Sequence, residues 1–144
     1  MKKSFLFLAF LMLFSCVKDY KNDCNLCENI NFENLENKFK NNCTFVAILK
    51  DNACNLCQMY NFVLDNYLSE HDIIIYSLDA SSLDLSDKNI SLFINEVKDK
   101  AGVNDNAILP STLFYLEGNL VNVEIGVLSE EELANNIDLL FSLQ

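Results

Sequence analysis

The segment TFVAILKDNACNLCQMYNFVLDNYLSEHDIIIYSL, residues 44–78, changes its hydrophobic period twice, and those changes decide the fold. Thr44 to Leu49 is short, apolar and partly β-branched with polar residues at both ends, the pattern of a strand buried on both faces. From Asn52 the period becomes helical. Leu56, Met59, Tyr60, Val63, Leu64, Tyr67 and Leu68 form one apolar stripe at i, i+3, i+4 and i+7, with Asn52 as the expected cap. Ile73 to Leu78 reads as a second buried strand. Two strands joined by a crossing helix pair in parallel.

Downstream, Ser81 to Ser86 is a polar connection to a second helix, in which Ile90, Phe93, Ile94, Val97 and Ala101 share a face until Gly102 stops it. Thr112 to Leu116 and Leu120 to Ile125 are strands separated by Glu117-Gly118-Asn119, the composition of a tight hairpin. Ser129 with Glu132 three residues on forms a capping box for a last helix, whose buried stripe is Leu133, Ile137, Leu140 and Phe141. Upstream, Glu33 to Lys40 has helical spacing and ends at Asn41-Asn42. The central order is β-α-β-α-β-β-α. Because the hairpin must be antiparallel, the expected architecture is α/β, with a mixed sheet covered by helices on both faces.

The chain has 144 residues, 51% of them hydrophobic and 22% charged, enough for one domain with a buried core. Ten lysines, no arginine and 21 acidic residues leave a net charge of −11, which excludes a nucleic-acid binder, since that function needs a basic face. Met1 to Ser4 carries two lysines, and Phe5 to Phe14 is an unbroken apolar run ending at Ser15-Cys16. Ten apolar residues are too few for a membrane span, which needs roughly 20, and suit a secretory signal. Leu13-Phe14-Ser15-Cys16 resembles the bacterial lipoprotein signal, although Phe14 is bulkier than that pattern usually shows. The resemblance implies that residues 1–15 are removed, that Cys16 is lipidated and becomes the N-terminus, and that acyl chains such as palmitate hold the protein to a membrane. An ordinary cleaved signal or an uncleaved anchor is the alternative. Residues 16–28, charged and rich in Asn, read as a tether, and residues 29–144 as the folded domain.

The chemistry concentrates in the cysteines at 16, 24, 27, 43, 54 and 57. Cys54-Asn55-Leu56-Cys57 follows a buried strand and opens a helix, the context in which C-x-x-C reads as redox-active. Free N–H groups and the macrodipole at a helix N-terminus favour a thiolate at Cys54, and thiolate is the nucleophile. Cys57, one turn on and more deeply placed, can attack a mixed disulfide formed at Cys54. Cys24-Asn25-Leu26-Cys27 repeats the motif: CNLCENINF at 24–32 and CNLCQMYNF at 54–62 share C-N-L-C, three residues, then N-F. Cys24 and Cys27 could form a local disulfide near the anchor or a second dithiol exchanging electrons with the first. Four thiolates could also hold zinc, but the interval of 26 residues exceeds ribbon-type spacing. Cys43 reads as a small apolar residue buried at a strand start. His71, the only histidine, lies in a turn between Glu70 and Asp72 and reads as a surface residue. Glu130, Glu131 and Glu132 favour the N-terminus of the last helix.

This order of elements, with C-x-x-C at the first crossover helix and Leu109-Pro110-Ser111-Thr112 leading into the hairpin, resembles the thioredoxin superfamily over roughly residues 43–144. The resemblance implies a cis peptide at Pro110, which packs beside the C-x-x-C, and a substrate chain pairing with the backbone of Leu109. It implies Cys54 as nucleophile, Cys57 as resolving residue, protein thiols and disulfides as substrates, and no cofactor or metal beyond the dithiol. The chain departs from the family at Ala53, where a Trp is usual, at Asn55-Leu56, where Gly-Pro is usual, and near Ile48, where a buried acid often lies; Asp51 is nearer the mouth. These departures leave the redox direction open.

The expectation is therefore a monomeric, lipid-anchored, extracytoplasmic thiol-disulfide oxidoreductase. A non-catalytic thioredoxin-fold lipoprotein, resembling bacteriocin-export helpers and docking a partner in its groove, is the first alternative. A structural zinc lipoprotein is the second.

Overall fold

The computed structural model describes residues 27–144. Five strands form one sheet in the order β1-β3-β2-β4-β5: β1 Glu28–Asn29, β2 Phe45–Lys50, β3 Ile75–Asp79, β4 Ser111–Leu116 and β5 Asn119–Ile125. The pairs β1/β3 and β2/β3 are parallel, and β2/β4 and β4/β5 are antiparallel, so the sheet is mixed as the sequence predicts. Four helices accompany it: α1 Phe32–Lys40, α2 Asn55–Glu70, α3 Lys88–Ala101 and α4 Glu130–Ser142. The sheet begins with Glu28, inside the stretch read as tether, and Cys27 is already buried.

Alternation along β2 divides the core. Val46 and Ile48 face a layer containing Tyr60 and Leu64 of α2 and Leu133 and Ile137 of α4. Phe45, Ala47 and Leu49 face the other layer, with Leu35 of α1 and Phe93 and Val97 of α3. A strand with helices on both sides has no polar face to present, which is why β2 reads as a continuous apolar run. Asp87 caps α3 through its carboxylate, Gly102 ends that helix with φ 71°, and the Ser129–Glu132 capping box starts α4.

The strand register places the site. The antiparallel register sets Leu49 opposite Ser111, so the C-terminal end of β2 lies beside the residues that lead into β4. At the far end of that hairpin, Glu117 and Gly118 both have positive φ, 48° and 80°, the handedness a two-residue hairpin turn requires.

Candidate functional site

Past Lys50 the chain turns through Asp51–Ala53. The Asp51 carboxylate accepts the Ala53 N–H at 2.8 Å and its carbonyl accepts the Cys54 N–H at 3.1 Å. This turn delivers Cys54, rather than the expected Asn52, as the N-cap of α2. The Cys57 N–H donates to Cys54 Sγ at 3.1 Å, while Asn52 instead receives Gln58 Nε2 on its carbonyl. The tight Asx turn places Asn52 two residues too early to reach the orphan N–H groups, and the sulfur takes that position.

Cys54 and Cys57 are joined in a disulfide, with Cα atoms 5.2 Å apart. The pair is asymmetric. Cys57 is 2% exposed beneath the first turn, whereas Cys54 is only half-buried at the helix mouth. An incoming thiol or disulfide therefore meets Cys54 first, and after reduction the Cys57 N–H and the helix N-terminus face the Cys54 sulfur, favouring its thiolate.

The Leu109–Pro110 peptide is cis. Pro110 is buried, its carbonyl accepts the Gly126 N–H at 2.8 Å, and Leu109 is half-buried. The Ser111 hydroxyl donates to the Ile108 carbonyl. Since Ser111 pairs with Leu49, this turn stands at the end of the sheet from which Asp51–Ala53 leads to Cys54. The structure thus gathers Cys54, Cys57, Leu109 and Pro110 at one end of the sheet.

A second link joins these parts. The Tyr60 hydroxyl and Thr112 Oγ1 lie 2.8 Å apart in a buried hydrogen bond, connecting α2 one turn beyond Cys57 to β4 two residues beyond Pro110. Burial, partly offset by the bond to Thr112, pushes the pKa of Tyr60 far above the ordinary phenol range. The sequence placed Tyr60 only on an apolar stripe. Its hydroxyl was the available signal, because a buried tyrosine usually finds a partner for its polar end.

The other cysteines depart from expectation. Cys27 is a free, buried thiol, so the local Cys24–Cys27 disulfide is corrected; Cys24 and the lipidation candidate Cys16 lie outside the described residues. Burial pushes the Cys27 thiol up to about 11, against a smaller lowering by the Lys50 ammonium, so as a nucleophile it is suppressed. As half of a second dithiol it would have to leave the core first. Cys43 is buried at the start of β2 as expected, but it is disulfide-bonded rather than a free thiol. A four-thiolate zinc site would need Cys54 and Cys57 reduced and Cys27 withdrawn from the core. Among the described residues no group of three or more His, Cys, Asp or Glu side chains is arranged for a metal ion.

Next to Cys27, Lys50 Nζ donates to Asn61 Oδ1 at 3.0 Å. Burial raises the Asp65 carboxyl above its usual range, with Lys50 opposing the shift. His71 donates through Nδ1–H to the Tyr67 carbonyl, 2.8 Å away, and stacks on the Tyr67 ring. It caps the C-terminal end of α2, at the opposite end of that helix from the disulfide.

A mixed sheet in this order, a disulfide C-x-x-C capping the helix after β2 and a cis proline before β4 define a thioredoxin-like fold. Comparison with solved structures agrees. Mitochondrial thioredoxin 3 of Saccharomyces cerevisiae in its oxidized form is 18% identical, with 78% of this chain and 93% of that chain covered at a TM-score of 0.52. Thioredoxin of Trypanosoma brucei brucei is 15% identical, with 82% and 96% covered at 0.55. Chloroplastic thioredoxin z is 13% identical over the same shares at 0.56. At such identities the likeness is one of fold. No family model and no curated protein sequence matches the chain.

Proposed function

We propose that the protein is a thiol-disulfide oxidoreductase that acts on protein thiols and disulfides outside the cytoplasm, tethered to a membrane through lipid on Cys16. The observation that carries the chemistry is the asymmetric Cys54–Cys57 disulfide at the α2 N-terminus, one sulfur at the mouth and one beneath it. In the forward sense, a Cys54 thiolate attacks a substrate disulfide, one substrate sulfur leaves as a thiolate, and Cys57 then attacks Cys54, releasing the second. Two electrons and two protons pass from the dithiol to the substrate; the reverse sequence oxidises a substrate dithiol. Leu109 and Pro110 line the approach to Cys54. Among the described residues no helix is long and apolar enough to cross a membrane, so the tether rests on Cys16 and the apolar run before it.

Equilibrating the purified protein across a series of dithiothreitol ratios, with free thiols alkylated and weighed at each step, tests the chemistry. Cys54 and Cys57 are expected to titrate together as one reversible two-electron couple. A pair that opens only on unfolding would sink the enzymatic reading and leave a docking protein. For the tether, Cys16→Ser is expected to move the protein out of the membrane fraction, and unchanged fractionation would count against lipidation.

A further inference from the structure

The apolar stripe read from the sequence is not uniformly buried in the structure, and Phe62, which lies off that stripe, is exposed as well. Leu56 is 50% exposed, Met59 58% and Phe62 73%, whereas Tyr60, Leu64, Tyr67 and Leu68 carry the core contacts of α2. Three large apolar side chains therefore stand in solvent on the first half of the helix. At 1.5 Å per residue, the row from Leu56 to Phe62 runs about 9 Å along the axis. Its near end lies between the two cysteines. The exposed residues Asn55 and Gln58 beside the cysteines are neutral, and charge enters only past Phe62, at Asp65 and at the Glu130 carboxylate that accepts from Asn66 at 3.2 Å, in a chain with a net charge of −11. An apolar patch rimmed by polar residues is the composition of an interaction site.

Area and charge select the occupant. Three partly exposed side chains offer on the order of 300 Å², well short of the ~800 Å² per partner of a stable protein interface, so this face does not hold a second copy of the chain by itself. Helices that lie in a membrane surface carry lysine or arginine on their polar face, and α2 has neither, so an anionic bilayer would be repelled. A short extended peptide fits. About three residues of extended chain span the row, and a substrate bound through Cys54 is held at its end.

We propose that Leu56, Met59 and Phe62 form a docking strip for apolar residues flanking the substrate cysteine, so that the protein selects extended, incompletely folded polypeptides whose cysteines lie in apolar sequence. The inference rests on the dithiol reading above. The exposed strip lowers the free energy of the mixed disulfide with such chains and adds nothing for a cysteine in a polar setting.

The test uses two synthetic peptides with the same pair of cysteines, one flanked by Leu and Phe and the other by Ser and Asn. Each is offered as disulfide to the reduced protein and as dithiol to the oxidised protein, and the direction that runs downhill is followed. Two electrons and two protons pass between peptide and protein, so no other reagent is required. The apolar peptide is expected to react at least about tenfold faster in kcat/KM. The Met59→Ser, Phe62→Ser double variant is expected to bring that ratio within about twofold of one. Leu92→Ser, which removes an exposed leucine from α3, is expected to retain it. A wild-type ratio near one, or a ratio that the double variant leaves unchanged, would overturn the docking strip while leaving the dithiol chemistry standing. Absence of exchange with both peptides and with oxidised glutathione would overturn the dithiol reading and the strip together. An oligomer, or binding to phosphatidylglycerol vesicles, that the double variant abolishes would assign the face to another occupant and overturn the proposal.

Discussion

At the scale of single residues, the two sulfurs of the C-x-x-C differ because a helix start treats adjacent turns differently. Cys54 occupies the cap, outside the helix and half in solvent, and receives the Cys57 N–H; Cys57 lies within the first turn under the α2 backbone. Removing the resolving sulfur should therefore stall the cycle with the substrate still attached. Cys57→Ala is expected to accumulate mixed disulfides that reductant dissolves and that mass spectrometry identifies through Cys54. A Cys54→Ala variant should accumulate far fewer, because the remaining thiol is 2% exposed. Equal trapping by the two variants would reverse the assigned roles. The pairing of Cys54 with Cys57 was legible because it rests on local chemistry, a helix start and a one-turn spacing, whereas the cis peptide at Pro110 followed from the family resemblance. Cys27 and Cys43 were misread for the opposite reason. Whether a thiol is paired depends on which cysteine the fold brings near, and C-N-L-C occurs twice in this chain in two different environments.

At the scale of elements, the hairpin joining β4 to β5 shows how a local signal acquires a tertiary role. Glu117-Gly118-Asn119 announced a turn, and the structure seats that turn on the loop between α1 and β2. The Gly118 N–H donates to the Cys43 carbonyl at 2.9 Å, and the Glu117 N–H donates to Thr44 Oγ1 at 3.1 Å. A Cβ on Gly118 would run into the Phe39 carbonyl oxygen at the end of α1, and φ there is 80°. Gly118→Ala is accordingly expected to lower stability by about 2 kcal/mol or more, measured by denaturant titration. Gly102→Ala meets no neighbouring atom and carries only the backbone cost at φ 71°, so it should lose less. Equal losses would show that the approach to Phe39 is relieved by movement of α1. The helix α2 carries the complementary lesson. Period alone put Leu56 and Met59 on the buried face, but the side that packs is Cys57, Tyr60, Leu64, Tyr67 and Leu68, and periodicity does not report how far around the helix the covered stripe extends.

At the scale of the whole molecule, the two apolar layers hide ionisable groups as well as hydrocarbon. Burial raises Cys27 to about 11 and lifts Tyr60 and Tyr115 above the ordinary phenol range. The unfolded thiol titrates near 9, so between roughly pH 9 and 11 the folded state keeps a proton that the unfolded state has lost. Stability is then present in full below pH 9 and falls as pH rises toward 11, with the tyrosines extending the decline above the ordinary phenol range. Urea unfolding at stepped pH is expected to show this fall. Cys27→Ala should flatten its first part, by on the order of 2 kcal/mol at the upper limit. A stability curve that stays level from pH 9 to 11 would mean that Cys27 is less buried in solution.

The sequence by itself determined the order of the elements, the parallel crossover, the hairpin, the capping box at Ser129 and the redox motif at Cys54, because each depends on residues within one or two turns of one another. The tertiary structure alone decided that Tyr60 bonds Thr112, 52 residues away, that Glu28 adds an edge strand to the sheet, that Cys27 stays single in the core, and that Leu56, Met59 and Phe62 remain in solvent. Those outcomes depend on which surfaces meet and where each layer stops, and both are set by the packing of distant segments rather than by any local pattern.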